Sequence, residues 1–353
     1  MNVLVIQTAF LGDMILTLPL LNLLRSSGAV DRLAVLAAPA GARFLETQGV
    51  SDAIIEFDKR EADRGPAGTL RVARAAREFG ADAVLVPHRS FRSAAIAAMT
   101  GVPRRIGFDE SGGRALLTET VAYRARAHEI ERVASLATPL EVSLPRRRVP
   151  FRITVPEEAS RRLLRRFGRE LGLGSGERPG FEGKSRRVAV LAPGSRWTTK
   201  RWPADRYASL ADRLVSDGFI VALAGADDDR EAAARVVSCA QVGLLDLTGR
   251  LDLGEWLALV DGGSVVVSND SAAAHVAAGI GVPVVAIFGP TVPKQGFAPY
   301  TERAHIVSSE LECRPCGRHG ADTCARGTLQ CMTDIDVEEV RRAALGLLAD
   351  DSR

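Results

Sequence analysis

Residues 2–14, NVLVIQTAFLGDM, decide the fold. NVLVIQ is a near-continuous apolar run, the pattern of a strand buried on both faces of a parallel sheet. ILTLPLLNLLRSS (15–27) follows with the look of a helix, which Pro19 is expected to distort. In nucleotide-binding α/β proteins the first strand-to-helix turn carries glycines that let a phosphate approach the helix N-terminus. Here one glycine, Gly12, is followed by Asp13, and a carboxylate repels phosphate. Two readings of Asp13 stand side by side. One is a helix N-cap. The other is a general base, which needs a hydroxyl nucleophile nearby rather than a phosphate.

Outward from this turn the same alternation continues. RLAVLAA (32–38), AIIEF (53–57) and DAVLVP (82–87) are strand-like, with segments of helical spacing between them. Residues 157–186 interrupt the series with a basic amphipathic helix, PEEASRRLLRRFGREL, and a stretch rich in glycine and charge, which is where a linker is expected. A second β-α series follows: RVAVLAPG (187–194), FIVALAG (219–225), LLDLTG (244–249), SVVVSND (264–270) and PVVAIFGP (283–290). The expected architecture is α/β, with two Rossmann-like, doubly wound parallel-sheet domains facing a central cleft. The N-terminal domain is placed at 1–156, the linker at 157–186 and the C-terminal domain at 187–334. A final helix in 335–353 is expected to pack back on the N-terminal domain.

Composition narrows the function classes. A chain of 353 residues exceeds one ordinary core. A net charge of +3 is too small for wrapping nucleic acid, and no stretch is long and apolar enough to be a membrane-spanning helix. The start lacks a basic n-region, so no signal peptide is expected and the compartment is expected to be cytoplasmic, with the five cysteines reduced or metal-bound. Of the 46 basic residues 42 are arginine. That bias is compositional, but it singles out Lys59, Lys184, Lys200 and Lys294, because lysine and arginine are not interchangeable.

Ligands of open parallel sheets bind beyond the carboxyl ends of the strands. LAPGSRWTTKRWP (191–203) offers Gly194 and Ser195 as a small turn with backbone donors, and Lys200 as a mobile cation. That suits a diphosphate, although a surface loop with packed tryptophans fits as well. In VVVSNDSAAAHVAAG (265–279), Asp270 or Ser271 caps the next helix, Ala272 lets a ligand approach its amide, and His275 lies one turn in. AGADDDRE (224–231) supplies an acid for a ribose from among Asp227, Asp228 and Asp229, or merely a solvated cap. Arg89, Arg92, Arg104 and Arg105 are candidates to meet an anionic acceptor, or are plain surface. Cys313 and Cys316 have the C-x2-C spacing of half a zinc site, with Cys324, Cys331 and His319 nearby. The second pair is loosely spaced, so a set of reduced thiols fits equally. A structural zinc is compatible with the cluster but not expected, and no catalysis is assigned to it.

FLGDMILTLPLL, APGSRWTTKRWP and SNDSAAAHVAAGIGVPVVAIFGPT, in this order, resemble the family 9 glycosyltransferases, the ADP-heptose:lipopolysaccharide heptosyltransferases. The cysteine-bearing tail resembles the branch that adds the second heptose to the inner core. The resemblance implies a GT-B fold and an inverting transfer from ADP-heptose to a lipid-anchored, phosphorylated core acceptor. It implies no catalytic metal and no required cofactor, and a place at the inner face of the inner membrane. By the same resemblance Asp13, next to Gly12, matches the general base. Ser195 and Lys200 match positions that hold the donor diphosphate. Asp270, Ser271 and the amide of residue 272 match the donor loop, with His275 behind it, and Asp229 is the nearest match to an acidic donor contact. Ala272 stands where the family usually has glycine. A relative using another nucleotide sugar or acceptor, or a non-catalytic nucleotide-sugar-binding protein, is the alternative.

Overall fold

A computed structural model describes residues 1–172 and 187–350 of the chain. The glycine- and charge-rich part of the expected linker, with Lys184, lies outside the described residues, as do residues 351–353. The chain divides into two compact units, Met1–Phe151 and Arg152–Arg353.

The first unit carries strands β1 (Asn2–Gln7), β2 (Arg32–Ala37), β3 (Ala53–Glu56), β4 (Ala83–Val86), β5 (Arg104–Phe108) and β6 (Glu119–Val121), with helices α1 (Leu11–Ser26), α2 (Pro39–Gln48), α3 (Gly65–Glu78), α4 (Phe91–Met99) and α5 (Glu129–Ala134). The second carries α6 (Glu157–Phe167), β7 (Arg187–Ala192), α7 (Ala204–Ser216), β8 (Phe219–Leu223), α8 (Arg230–Cys239), β9 (Leu245–Asp246), α9 (Leu253–Asp261), β10 (Val265–Asn269), α10 (Ala272–Ile280), β11 (Val284–Ile287), β12 (Ala304–Val307), α11 (Gln330–Thr333) and α12 (Val337–Asp350).

Both sheets are parallel, and both have the strand order of a doubly wound nucleotide-binding fold. The first runs β3-β2-β1-β4-β5-β6, the second β12-β11-β10-β7-β8-β9. Each order reverses at one place, between β1 and β4 and between β7 and β10. At these switch points the helices leave toward opposite faces and open a crevice at the strands' carboxyl ends. The apolar runs behave as a two-sided burial predicts: Val3, Leu4, Val5 and Ile6 of β1, and Val265, Val266 and Val267 of β10, have no solvent exposure.

Several local expectations change. Helix α1 runs on through Pro19, which is buried in it. The strand expected at 244–249 pairs only over Leu245–Asp246, at the sheet edge. The basic helix α6 belongs to the second unit: Arg162 binds Asp252 at 2.8 Å and Arg166 binds the buried Glu255, so two charges of α6 grip the N-terminal capping residues of α9. The C-terminal helix was expected on the N-terminal domain. Instead Val337, Val340 and Ala344 of α12 join the core of the second unit, because its apolar stripe matches the face of that unit's own sheet. Arg341 pins α12 to the end of α7 through two hydrogen bonds to Asp217, at 2.7 and 2.6 Å. Among the described residues no helix is long and apolar enough to cross a membrane.

Hydrogen bonding to Arg341 holds the Asp217 carboxyl below its usual range. A depressed carboxyl stabilises the fold above its unfolded pKa of about 4 and loses that contribution as pH falls through the folded value. Arg341→Met should therefore lower the melting temperature at neutral pH. The difference from wild type should close as the pH of the melt is taken below about 4.

Candidate functional site

At the second switch point one buried carboxamide organises two loops. Asn269, the last residue of β10, is fully buried. Its Nδ2 donates to the carbonyls of Pro193 (2.8 Å) and Gly194 (3.3 Å) beyond β7. Its Oδ1 accepts from the Trp202 amide at 3.0 Å and the Tyr207 hydroxyl at 3.2 Å. The phosphate-loop candidate is thus held from strand end to helix start by a single side chain.

The residues expected to hold an anion gather around this anchor. Lys200 Nζ is 2.6 Å from Asp270 Oδ2, and Thr291 Oγ1 donates to the same oxygen at 2.7 Å. Ser195 is buried, and its carbonyl accepts from Arg201 Nε at 2.9 Å. Ser271 takes the N-cap position of α10 without making a cap hydrogen bond. Its hydroxyl pairs with Ser268 Oγ at 3.0 Å instead. The first amides of α10, beginning with Ala272, therefore lack the usual side-chain acceptor at the positive end of the helix dipole. His275 is buried on the first turn of α10, not on the helix surface.

The acidic loop separates its three aspartates. Asp227 pairs with Arg230 at 2.9 Å and Asp228 is exposed. Asp229 turns toward the phosphate-loop candidate: a Cβ built on Gly194 would stand 2.0 Å from Asp229 Oδ1. The Ala226 amide donates to Asp229 Oδ2 at 3.0 Å. Burial pushes this carboxyl above the usual range, against the pull of the Ala226 hydrogen bond and of Arg201.

The cysteine segment closes over the same loops. The Thr199 hydroxyl and amide both donate to the Ala321 carbonyl, at 2.8 and 3.1 Å, and Arg314 donates to the carbonyls of Phe288 (3.0 Å) and Thr291 (2.9 Å). Cys313, Cys316, Cys324 and Cys331 are free thiols. Burial pushes Cys331 up to about 11. Among the described residues no group of three or more His, Cys, Asp or Glu side chains is arranged to hold a metal ion.

The first switch point has the opposite character. Helix α1 begins at Leu11, so Asp13 is its third residue and not the N-cap, which falls on Phe10. Asp13 still serves the helix end: its Oδ2 accepts the Phe10 amide at 3.2 Å, the return half of a capping box. Gly12 lies beside it in the same first turn. At the end of the neighbouring strand β4, His88 Nδ1 meets Ser93 Oγ at 3.4 Å, and Ser93 meets Thr8 Oγ1 at 3.2 Å.

The four candidate arginines do not gather here. Arg104 and Arg105 open β5, at the amino edge of the sheet, away from where ligands of parallel sheets bind. Arg104 is bound to Glu119 and the Pro139 carbonyl, and Arg105 to the carbonyls of Leu116 and Val102. These two expectations are corrected, for both guanidinium groups do structural work at the wrong end of the strand. Arg89 pairs with Glu110 at 2.8 Å and stacks 3.7 Å over the Tyr123 ring, while Arg92 is exposed at the start of α4. Sequence reasoning missed Asn269, Thr291 and the Thr8–Ser93–His88 chain, and it singled out Lys59 without placing it at this turn. The signal for Lys59 was its rarity in an arginine-rich chain.

Two doubly wound units, one presenting a lysine and uncapped helix amides at its switch point and the other a carboxylate, define the class of nucleotide-binding-type α/β proteins. The family model for glycosyltransferase family 9 (heptosyltransferase) matches residues 69–323, and the chain belongs to that family. It is 27% identical to lipopolysaccharide heptosyltransferase 2 of Salmonella typhimurium, over 99% of both chains. It is also 27% identical to lipooligosaccharide heptosyltransferase 2 of Haemophilus influenzae, over 87% of this chain and 88% of that one. Among solved structures, a family 9 glycosyltransferase from Veillonella parvula superposes with a TM-score of 0.84 at 24% identity, covering 99% of this chain and 97% of that one. The ADP-heptose LPS heptosyltransferase II of E. coli superposes at 0.78 and 24%, over all of both chains. These likenesses establish the GT-B fold of two Rossmann-like domains.

Removing the Asn269 carboxamide leaves buried partners unsatisfied, so Asn269→Ala should cost at least about 2 kcal/mol in chemical denaturation. Gly194→Ala should lower stability in chemical denaturation, because the new methyl group collides with the Asp229 carboxylate. Adding Asp229→Ala should recover the stability lost in the single variant, a coupling that a double-mutant cycle reads directly.

Proposed function

We propose that the protein transfers a heptose from ADP-heptose to a hydroxyl of the lipopolysaccharide inner core, as the second heptose, with inversion at the anomeric carbon. The observation that carries this reading is the contrast between the two switch points. One has a lysine and helix amides for a diphosphate, and the other has a carboxylate for a hydroxyl. The full-length similarity to heptosyltransferases 2 supports the heptose and the step, and ADP-heptose is the donor named for the E. coli heptosyltransferase II that the chain resembles in fold.

In this mechanism the C-terminal unit holds the donor. Gly194, Ser195, Lys200 and the α10 amides from Ala272 take the diphosphate, with Asp270 and Thr291 orienting Lys200 and with Ser271 and His275 shaping the helix start. Asp229 faces the ribose side. The N-terminal unit holds the acceptor at the turn of Gly12 and Asp13, with Arg92 toward its anionic groups. Asp13 takes the proton from the acceptor hydroxyl as that oxygen bonds to the anomeric carbon. The carbon–oxygen bond to the diphosphate breaks, and ADP leaves with the electron pair. Lys200 and the helix amides stabilise the charge that builds on the diphosphate, so the chemistry asks for no catalytic metal. The lipid-anchored acceptor places the enzyme against the inner face of the inner membrane as a cytoplasmic, peripheral protein.

The test is a transfer assay with ADP-heptose and defined truncated core acceptors, read by mass spectrometry. Wild type should extend an acceptor bearing one heptose, and Asp13→Asn should be slower by roughly 10²–10⁴-fold. Preference for another nucleotide sugar would overturn the donor assignment, and full activity of the variant would overturn the base.

A further inference from the structure

Lys59 reaches across 51 residues of sequence to the turn that carries Asp13, where its Nζ donates to the Thr8 carbonyl at 2.7 Å. Thr8 is the first residue beyond β1 and is itself buried and held through Ser93. Thr8, where this turn begins, is therefore held at its hydroxyl by Ser93 and at its carbonyl by the Lys59 ammonium.

The charges around Lys59 make this an unfavourable place for a cation. Arg60, next in sequence, lies 5.5 Å over the ring of Phe10, and Arg92 comes from the start of α4. Burial, Arg92 and Arg60, in that order, lower the proton affinity of Lys59, and Asp13 of α1 is the opposing influence. The Asp58 carboxylate is turned to the Arg60 and Glu61 amides of its own loop. His88 belongs to the same edge through Ser93. Half-buried among like charges, a lysine is retained against its own electrostatics, a pattern associated with functional sites. A compact ammonium suits the place, since it donates to one carbonyl and still presents its charge to a nearby carboxylate, where a planar guanidinium would need a wider fork of acceptors.

We infer that Lys59 is a positioning residue for Asp13: its hydrogen bond to the Thr8 carbonyl fixes the turn between β1 and α1, and it places an ammonium on the same turn whose Phe10 amide holds the Asp13 carboxylate. The inference rests on Asp13 being the base.

Lys59→Met removes both contributions. Lys59→Gln keeps a donor for the Thr8 carbonyl and removes only the charge, which covers the case of a Lys59→Met protein that does not fold. Without the cation the carboxylate is harder to form, and the ionised carboxylate is the base. The acid limb of the kcat/KM profile, measured with ADP-heptose and a truncated core acceptor, should move to higher pH by about one unit. Below the limb the variants should be about tenfold slower than wild type, and above it the gap should close. Lys59→Arg keeps the charge but not the compact donor, so its limb should move less than that of Lys59→Gln. The same shift should appear without turnover, as a titration of the Asp13 carboxyl carbon by ¹³C NMR assigned with Asp13→Asn. An unmoved Asp13 titration in Lys59→Gln overturns the inference, even if the KM for acceptor rises. Full activity of Asp13→Asn would instead overturn the base reading, independently of what Lys59 does to the titration.

Discussion

The second unit depends on one carboxamide. Asn269 joins the end of β10 to the loop after β7, and through Trp202 and Tyr207 to the start of α7. Every hydrogen-bonding group of its side chain is matched inside the protein, in a place without solvent exposure. Such a network is stable only when complete, which makes the geometry of the loop an all-or-none property. Lys200, Ser195 and the helix start at Ala272 owe their relative positions to it. The segment of Arg314 and Ala321 then braces the outer side of the same loops.

The two units use one topology for opposite electrostatic ends. Each places its first strand-to-helix turn at the reversal of strand order. In the C-terminal unit that loop is basic and carries Lys200, and its neighbour is a helix without a side-chain cap. In the N-terminal unit the helix end is capped from within by Asp13, so the dipole there is already answered by the protein's own carboxylate. A phosphate gains nothing at such a turn. The chain encodes this difference in very few residues: an aspartate in one turn, glycine and serine in the other.

Much of the fold was legible because parallel strands buried on both faces are nearly pure apolar runs. Strand β5 was not read as one, since RRIGF opens with two arginines. Their partners, Glu119 and backbone carbonyls, lie across β6 and surrounding loops and leave no local trace. The same long-range pairing removed Arg104 and Arg105 from the candidate site. Asp13 was found by chemistry, but as an N-cap it was three residues too late, because a helix start at Leu11 has no capping side chain to announce it. The choice of Asp229 among three adjacent acids needed the approach of Gly194, and the importance of Asn269 needed four partners between 62 and 76 residues distant. Chemistry at strand ends is written locally, but the pins that hold strand ends in place are not.

The contact of Asp229 with Gly194 has an evolutionary consequence. The acid and the glycine come from loops following adjacent strands, and each occupies room that the other's side chain would need. Gly225, at the foot of the acidic loop, faces the same carboxylate. Changes in one of these loops are therefore felt in the other, since a larger residue at Gly194 displaces the Asp229 carboxylate. Drift at these positions should be concerted, with the small residues and the acid exchanged together or kept together.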